Sequence, residues 1–147
     1  MDKWDKAHMQ VADTYARLSS AKRRQVGSVI VKDNRIISIG YNGMPSGWTN
    51  ECETPDYETK KEVIHAESNA ITKVAKSTES AEGATLYTTC SPCLECAKLI
   101  YQSGVSRVVY RDDYKSDQGL TFLKQCDIVV DNYYNLHKVK KKRFFFF

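Results

Sequence analysis

His65-Ala66-Glu67 and, from 26 residues beyond that glutamate, the pair Cys93-Leu94-Glu95-Cys96 put an imidazole, a carboxyl group and two thiols within one chain at spacings suited to hydrolytic chemistry. A structural zinc site usually closes its tetrahedron with four protein ligands, whereas a catalytic one keeps three and leaves a place for water. His65, Cys93 and Cys96 supply three. Glu67 stands two residues after the histidine, too short a step for both side chains to grip one metal from the first turn of a helix. It is therefore expected beside the water. Two thiolates neutralise most of the charge of Zn²⁺ and acidify water less than three neutral histidines do, so a nearby carboxylate is needed to take the proton. A second arrangement stays open: Cys90, three residues before Cys93, could close a four-ligand structural site, which leaves Glu67 without a purpose.

These side chains need elements to position them. Residues 65–76 are helical by composition, with Ala66, Ala70, Ile71 and Val74 on an inward face, and Ser91-Pro92 opens a second helix over residues 93–103. Both metal-binding segments then begin helices, where the positive end of the dipole favours thiolate over thiol. Residues 26–31 and 35–40 are β-rich runs joined by Lys32-Asp33-Asn34, a hairpin pattern. Residues 85–89, 105–110 and 127–130 read as three further strands, with a helix over residues 117–125 between the last two. That order implies a right-handed crossover and parallel pairing. The expected architecture is α/β: a five-stranded mixed sheet with its last two strands parallel and helices on both faces. Trp4, His8, Val11, Tyr15 and Leu18 recur at helical steps and predict the buried stripe of a first helix. Residues 48–63 are polar and irregular, with Trp48 expected to anchor their packing.

The chain of 147 residues fits a single domain with a core of its own, and 41% hydrophobic with 27% charged residues reads as globular. No apolar run approaches a membrane span, and the first residues lack the order of a signal peptide, so the expectation is a cytoplasmic protein without a membrane partner. Five cysteines, two assigned to metal, leave Cys52, Cys90 and Cys126, an odd remainder that suits a reducing compartment. The net charge of +4 comes from the end of the chain: Lys138, Lys140, Lys141, Lys142 and Arg143 hold five of the cations, and without them 17 basic side chains face 18 acidic ones. A nearly neutral body does not suit a nucleic-acid partner. Residues 1–132 are taken as the catalytic domain and residues 133–147 as a basic tail ending in four phenylalanines, read as a solvated arm or a docking helix end.

The composite H-x-E…P-C-x-x-C is the signature of zinc-dependent nucleobase deaminases. Around it the chain resembles the deoxycytidylate (dCMP) deaminases over roughly residues 5–130: in Val26-Gly27, in Gly40-Tyr41-Asn42-Gly43-Met44-Pro45-Ser46-Gly47, in His65-Ala66-Glu67-Ser68-Asn69-Ala70-Ile71, and in Ser91-Pro92-Cys93-Leu94-Glu95-Cys96-Ala97-Lys98. The resemblance implies a three-layer α/β/α cytidine deaminase-like fold and hydrolysis of dCMP to dUMP and ammonia, feeding dTMP synthesis. It also implies a homo-hexamer that dCTP activates and dTTP inhibits. One zinc per chain is expected, because the stretch before His65 offers a second site only Cys52. Glu67 is then the catalytic residue that carries every proton.

Asn42 matches the family position that holds the sugar. Arg111, Tyr114 and Lys115, after the fourth strand on the side where ligands gather in α/β sheets, are candidates for the phosphate, with Arg23 and Arg24 equally eligible. Gly40, Tyr41, Gly43, Met44 and Gly47, with Asn69, are expected to build an effector nucleotide site near a subunit interface, since a glycine-rich loop lets backbone N–H groups approach a triphosphate. Two rivals share part of the pattern. A tRNA adenosine deaminase carries the same zinc motif but wants a basic RNA-facing surface. A zinc-stabilised binding module would keep the metal without turnover.

Overall fold

Helices and strands are interspersed along residues 3–136, the part of the chain that the computed structural model describes. In order they are α1 (Lys3–Ala16), β1 (Gly27–Lys32), β2 (Arg35–Tyr41), α2 (Ala66–Ala75), β3 (Thr85–Cys90), α3 (Leu94–Gln102), β4 (Arg107–Asp112), α4 (Gln118–Gln125) and β5 (Val129–Asn132). The basic run and the four phenylalanines at 138–147 lie outside the described residues.

The five strands form one sheet in the order β2-β1-β3-β4-β5. β1 is antiparallel to both β2 and β3, whereas β3–β4 and β4–β5 are parallel. The parallel pairs follow from the crossover helices α3 and α4, so the expected mixed sheet with its last strands parallel is what forms. The β1–β2 hairpin closes on Asp33 (φ 52°) and Asn34 (φ 58°), both left-handed as a two-residue type I′ turn requires.

Two cores sandwich the sheet. On one face α2, α3 and α4 bury Ala70, Val74, Ala97, Ile100 and Leu123 against Ile30, Leu86 and Val108. On the other, α1 lays Met9 and Ala12 on Val29, Val31, Tyr87 and Val109. Strand alternation separates the two sets: Val108 faces one layer and Val109 the other. Tyr133 and Leu136 pack against the α1-side core, so the first residues beyond β5 are attached to the body.

Three expectations about packing are corrected here. The buried face of α1 is Asp5, His8, Met9, Ala12 and Ala16; of the expected stripe His8 is buried and Val11 packs against the α1-side core, but Trp4 and Leu18 turn outward. Trp4 is 44% and Leu18 58% exposed. The helix is turned because its small residues approach the sheet closely: a Cβ on Gly27 would fall 1.9 Å from the Ala12 carbonyl oxygen. The second correction is Trp48, which is 57% exposed and so is not the buried anchor expected of it. What holds its segment is Glu53, whose Oε1 accepts the backbone N–H groups of Lys22 and Arg23 at 2.7 and 3.1 Å. The third is the start of β4 and of β5, each two residues later than the sequence suggests. Asp127 (φ 61°) ends α4 in a left-handed turn, with its N–H on Lys124 O and the Ile128 N–H on Leu123 O, the bond pattern of a Schellman cap. No described helix is long and apolar enough to cross a membrane.

Candidate active site

The two motif segments meet because each begins a helix at the same end of the sheet. Ile64 exchanges both backbone hydrogen bonds with Gly43, at 2.8 and 3.1 Å, which fixes the chain beside the end of β2 just before His65. His65 is then the extended N-cap residue of α2. Cys93, just beyond β3, is the extended N-cap residue of α3, and its sulfur accepts the Cys96 N–H. The helix-end placement expected for both segments is what the fold provides.

His65 Nδ1 lies 3.5 Å from Cys93 Sγ and 3.4 Å from Cys96 Sγ. Zinc bonds of about 2.0–2.1 Å to nitrogen and about 2.3 Å to sulfur, set at tetrahedral angles, separate such donor atoms by about 3.6 Å. The donor set therefore fits zinc. All three ligand atoms lie within 4.8 Å of one another, and Cys90 is not among them. Its thiol is directed instead to the Ser91 carbonyl at 3.6 Å, so a closed four-ligand site through Cys90 is not what forms.

Electrostatics support the same division of labour. Hydrogen bonds from Cys96 and His65 draw Cys93 down to about 4, against the opposing effect of burial. Cys96 is held up by the hydrogen bond it shares with Cys93 and by burial. Ser68 Oγ stands 3.3 Å from Cys96 Sγ, a contact the sequence reading did not single out although Ser68 follows Glu67 directly. The bond to Cys93 raises His65, with burial opposing. Cys90 is pushed up to about 11, chiefly by burial, and is an inert thiol.

Glu67 lies in the first turn of α2, 4% exposed. Burial raises its carboxyl above the ordinary range, with His65, Cys96 and Thr88 acting in the opposite sense. A raised carboxyl is a better proton acceptor near neutral pH than an exposed one. Its Oε1 accepts a hydrogen bond from Thr88 Oγ1 at 3.1 Å. Thr88 belongs to no motif. Only the alternation along β3, which turns Leu86, Thr88 and Cys90 to one face, could have pointed to it.

A cavity of about 940 Å³ opens over these groups, and His65, Glu67 and Cys93 line it together. Asn42, Tyr114, Lys115, Arg23 and Arg24 line it as well. Asn42 is no left-handed turn residue; its side chain accepts from the Val26 N–H at 2.9 Å and donates to Arg24 O at 2.8 Å, bracing the arginine-bearing segment. Lys115 stands over the Tyr114 ring at 5.7 Å. Arg111 is brought elsewhere. It bonds Asp13 of α1 at 2.7 Å and Asp112 at 3.1 Å, so its charge is neutralised on the α1 side of the sheet, outside the cavity.

The glycine-rich segment divides similarly. Gly40 is buried within β2, where a Cβ would lie 2.3 Å from the Ala66 carbonyl, and so lets α2 approach the sheet. Asn69 donates to Tyr41 O at 2.8 Å, and Lys73 stands 5.9 Å over the Tyr41 ring. Gly43 spends its backbone groups on Ile64. Met44 and Gly47 (φ 86°) follow in the loop.

Residues 2–112 match the cytidine and deoxycytidylate deaminase zinc-binding region. The chain belongs to the cytidine and deoxycytidylate deaminase family. Membership places it among hydrolytic deaminases, as the motif leads one to expect. The deoxycytidylate deaminase of Homo sapiens is 37% identical over 153 residues, covering 87% of this chain and 85% of the human protein. That of Saccharomyces cerevisiae is 36% identical over 137 residues, and there the match spans 86% of this chain but only 44% of the yeast protein. Among solved structures, the dCMP deaminase of the cyanophage S-TIM5 in complex with dCMP and dUMP superposes with a TM-score of 0.88 at 42% identity, over 90% of this chain and 98% of that one.

Proposed function

We propose that this chain hydrolyses dCMP to dUMP and ammonia, with one zinc held by His65, Cys93 and Cys96 and with Glu67 as the proton carrier. The observation that carries the reading is the Nδ1–Sγ–Sγ triangle beside a buried carboxyl group, with His65, Glu67 and Cys93 lining one cavity. Likeness to a cyanophage enzyme solved with dCMP and dUMP supports the substrate. When bound, zinc supplies the Lewis acidity that makes water a nucleophile near neutral pH. Glu67 would take a proton from the water as its oxygen adds to C4 of the cytosine, pass it to N3, and carry the remaining hydroxyl proton to the amine as the C4–N4 bond breaks and ammonia leaves.

The phosphate falls to Arg23, Arg24 or Lys115, cations that line the same cavity, with Asn42 and Tyr114 beside them. Control by dCTP and dTTP, a hexameric assembly and supply of dUMP for dTMP synthesis complete the proposal, supported by the deoxycytidylate deaminase resemblance. Met44, Gly47 and the outer side of Tyr41 are the parts of the loop open to an effector. Gly40, Gly43 and Asn69 act by holding its shape. Residues 1–132 are the proposed catalytic unit. None of the five cysteines is paired in a disulfide, which suits the proposed cytoplasmic setting.

Ammonia release from dCMP, dCTP, deoxycytidine and a tRNA anticodon hairpin, assayed side by side, tests the reading. Preferred turnover of the hairpin would hand the assignment to the RNA deaminases. Retention of zinc without turnover of any substrate would leave a binding module.

A further inference from the structure

The carboxylate of Glu67 rests on hydroxyl groups that the zinc motif does not contain. Thr88, fully buried in β3, places Oγ1 3.1 Å from Glu67 Oε1 and 2.8 Å from the Cys90 carbonyl oxygen. A threonine hydroxyl has one proton, so it serves one of these acceptors well at the expense of the other. Its lone pairs can accept a bond in turn. Directly across the β1–β3 ladder from Thr88 is Ser28, itself fully buried, whose Oγ has no hydrogen-bond partner among the described residues.

Both hydroxyls face the α2 layer. On its other side Ser28 pairs with Gly40, the position whose Cβ would run into Ala66 of α2. Residues directly opposite on one face of an antiparallel pair hold their Cβ atoms about 4.5–5.5 Å apart, a distance that a serine and a threonine hydroxyl can close by rotation. An unpaired buried hydroxyl is costly, and alanine at 28 with valine at 88 would fill nearly the same space with nothing to satisfy. A polar pair at this spot, under the proton-carrying carboxylate, calls for a role.

We propose that Ser28 and Thr88 are positioning residues for Glu67. Ser28 Oγ–H donates to Thr88 Oγ1, and Thr88 donates to Glu67 Oε1, so that Oε2 is the oxygen left to carry protons. Neither hydroxyl gives up its proton. The Cys90 carbonyl is the alternative acceptor for Thr88 when Glu67 needs less stabilisation. Bonds in such a chain polarise one another, which makes the Thr88–Glu67 bond depend on Ser28. The inference rests on Glu67 as the proton carrier and deepens that reading.

The test compares zinc-loaded wild type, Glu67→Gln, Thr88→Val, Thr88→Ser, Ser28→Ala and the Ser28→Ala/Thr88→Val pair. With dCMP, Thr88→Val should lower kcat about tenfold, less than the 10²- to 10⁴-fold that acid–base catalysis contributes as a whole. KM should stay within roughly twofold, because the bond acts on the chemical step rather than on substrate binding. Thr88→Ser should restore most of the rate. Ser28→Ala should cost less than Thr88→Val and nothing further in its background, the non-additivity of residues acting through one bond. The carboxylate stretch of Glu67, found by infrared difference against Glu67→Gln, should shift in both Thr88→Val and Ser28→Ala whatever substrate is turned over. A wild-type kcat in Thr88→Val, full additivity of the pair, loss of zinc in step with loss of rate, or an unmoved stretch in Ser28→Ala would each overturn the proposal. Failure of the wild type to act on dCMP while the stretch shifts as expected would instead strike the substrate assignment and leave the hydroxyl chain standing.

Discussion

Asp5 and Arg107, 102 residues apart, meet in a forked ion pair with both carboxylate oxygens engaged, at 2.8 and 3.1 Å. Asp13 and Arg111 repeat the contact further along at 2.7 Å. Eight residues of α-helix rise about 12 Å and four residues of strand about 13 Å, so the acidic positions of α1 stay in step with the basic positions of β4. Asp5 is 5% exposed and also accepts from Tyr87 Oη at 2.6 Å, while Arg107 keeps a second partner in Asp131 at 3.0 Å. Asp5→Asn should therefore lower stability by about 3 kcal/mol, the low end of the cost of breaking a buried pair, because Asp131 still neutralises the guanidinium. A urea midpoint unchanged from wild type would contradict this.

The same pairs set an acid limit. Burial alone would raise Asp5, but hydrogen bonds from Arg107 and Tyr87 outweigh it and hold the carboxyl below its ordinary value of 3.8. Asp13 is lowered by Arg111 first, and by Arg17, against burial. A carboxyl depressed in the folded state contributes stability that is complete above 3.8 and is lost as pH falls from there through the lower folded value. Unfolding titrated with urea at stepwise lower pH should show this loss, with a shallower slope in Asp5→Asn. Parallel slopes in the two proteins would remove Asp5 from the account.

The zinc triangle gives a stoichiometric prediction. Metal analysis should find one zinc per chain, lost on substitution of Cys93 or His65 by alanine and retained in Glu67→Gln. That last variant should fold and bind metal normally while turnover falls by about 10²- to 10⁴-fold or more. Two zincs per chain, or full metal content in Cys93→Ala, would contradict the ligand set.

Much of this site was legible in the sequence, and what was not has identifiable causes. The β1–β2 hairpin and the two helix-starting motifs read correctly because local chemistry decides them, turn-forming residues at one place and ligand spacing at the other, although the connection is Asp33-Asn34 alone and Lys32 belongs to β1. The face of α1 did not, because Asp5 is buried by a partner 102 residues away and Ala12 by a glycine in β1. Arg111 looked suited to a phosphate from its place after a strand core. Strand alternation puts it on the same side as Arg107 and Val109, toward α1, a parity that a fixed strand register makes readable. Thr88 stayed hidden because a threonine in a strand is ordinary until the residue facing it is known.

Substrate size follows from the cations that do line the cavity. A charged hydrogen bond to phosphate is worth about 1.5–3 kcal/mol, so kcat/KM should favour dCMP over deoxycytidine by at least that much. Arg23→Ala, Arg24→Ala or Lys115→Ala should reduce the preference, whereas Arg111→Ala should destabilise the fold without changing it. Equal specificity constants for the two substrates would turn the assignment toward a nucleoside deaminase.

Effector control is the last prediction, and the loop after β2 is where it should be felt. Gly47 has φ 86° with open space around any added Cβ, so Gly47→Ala strains the loop without meeting a neighbour, at a cost of about 1–2 kcal/mol. If dCTP and dTTP compete for a site formed by Tyr41, Met44 and Gly47, held in shape by Asn69 and Gly43, coupling of about 1–3 kcal/mol would shift dCMP affinity by about 5- to 150-fold between the two. Gly47→Ala should blunt that response while the zinc content and the basal kcat stay near wild type, since neither Gly47 nor Met44 lines the catalytic cavity. The measurement is the dCMP saturation curve with each nucleotide added separately. A curve indifferent to both, or inhibition by dTTP that is strictly competitive and unchanged in Gly47→Ala, would confine these nucleotides to the zinc pocket and reduce the loop to a brace for His65.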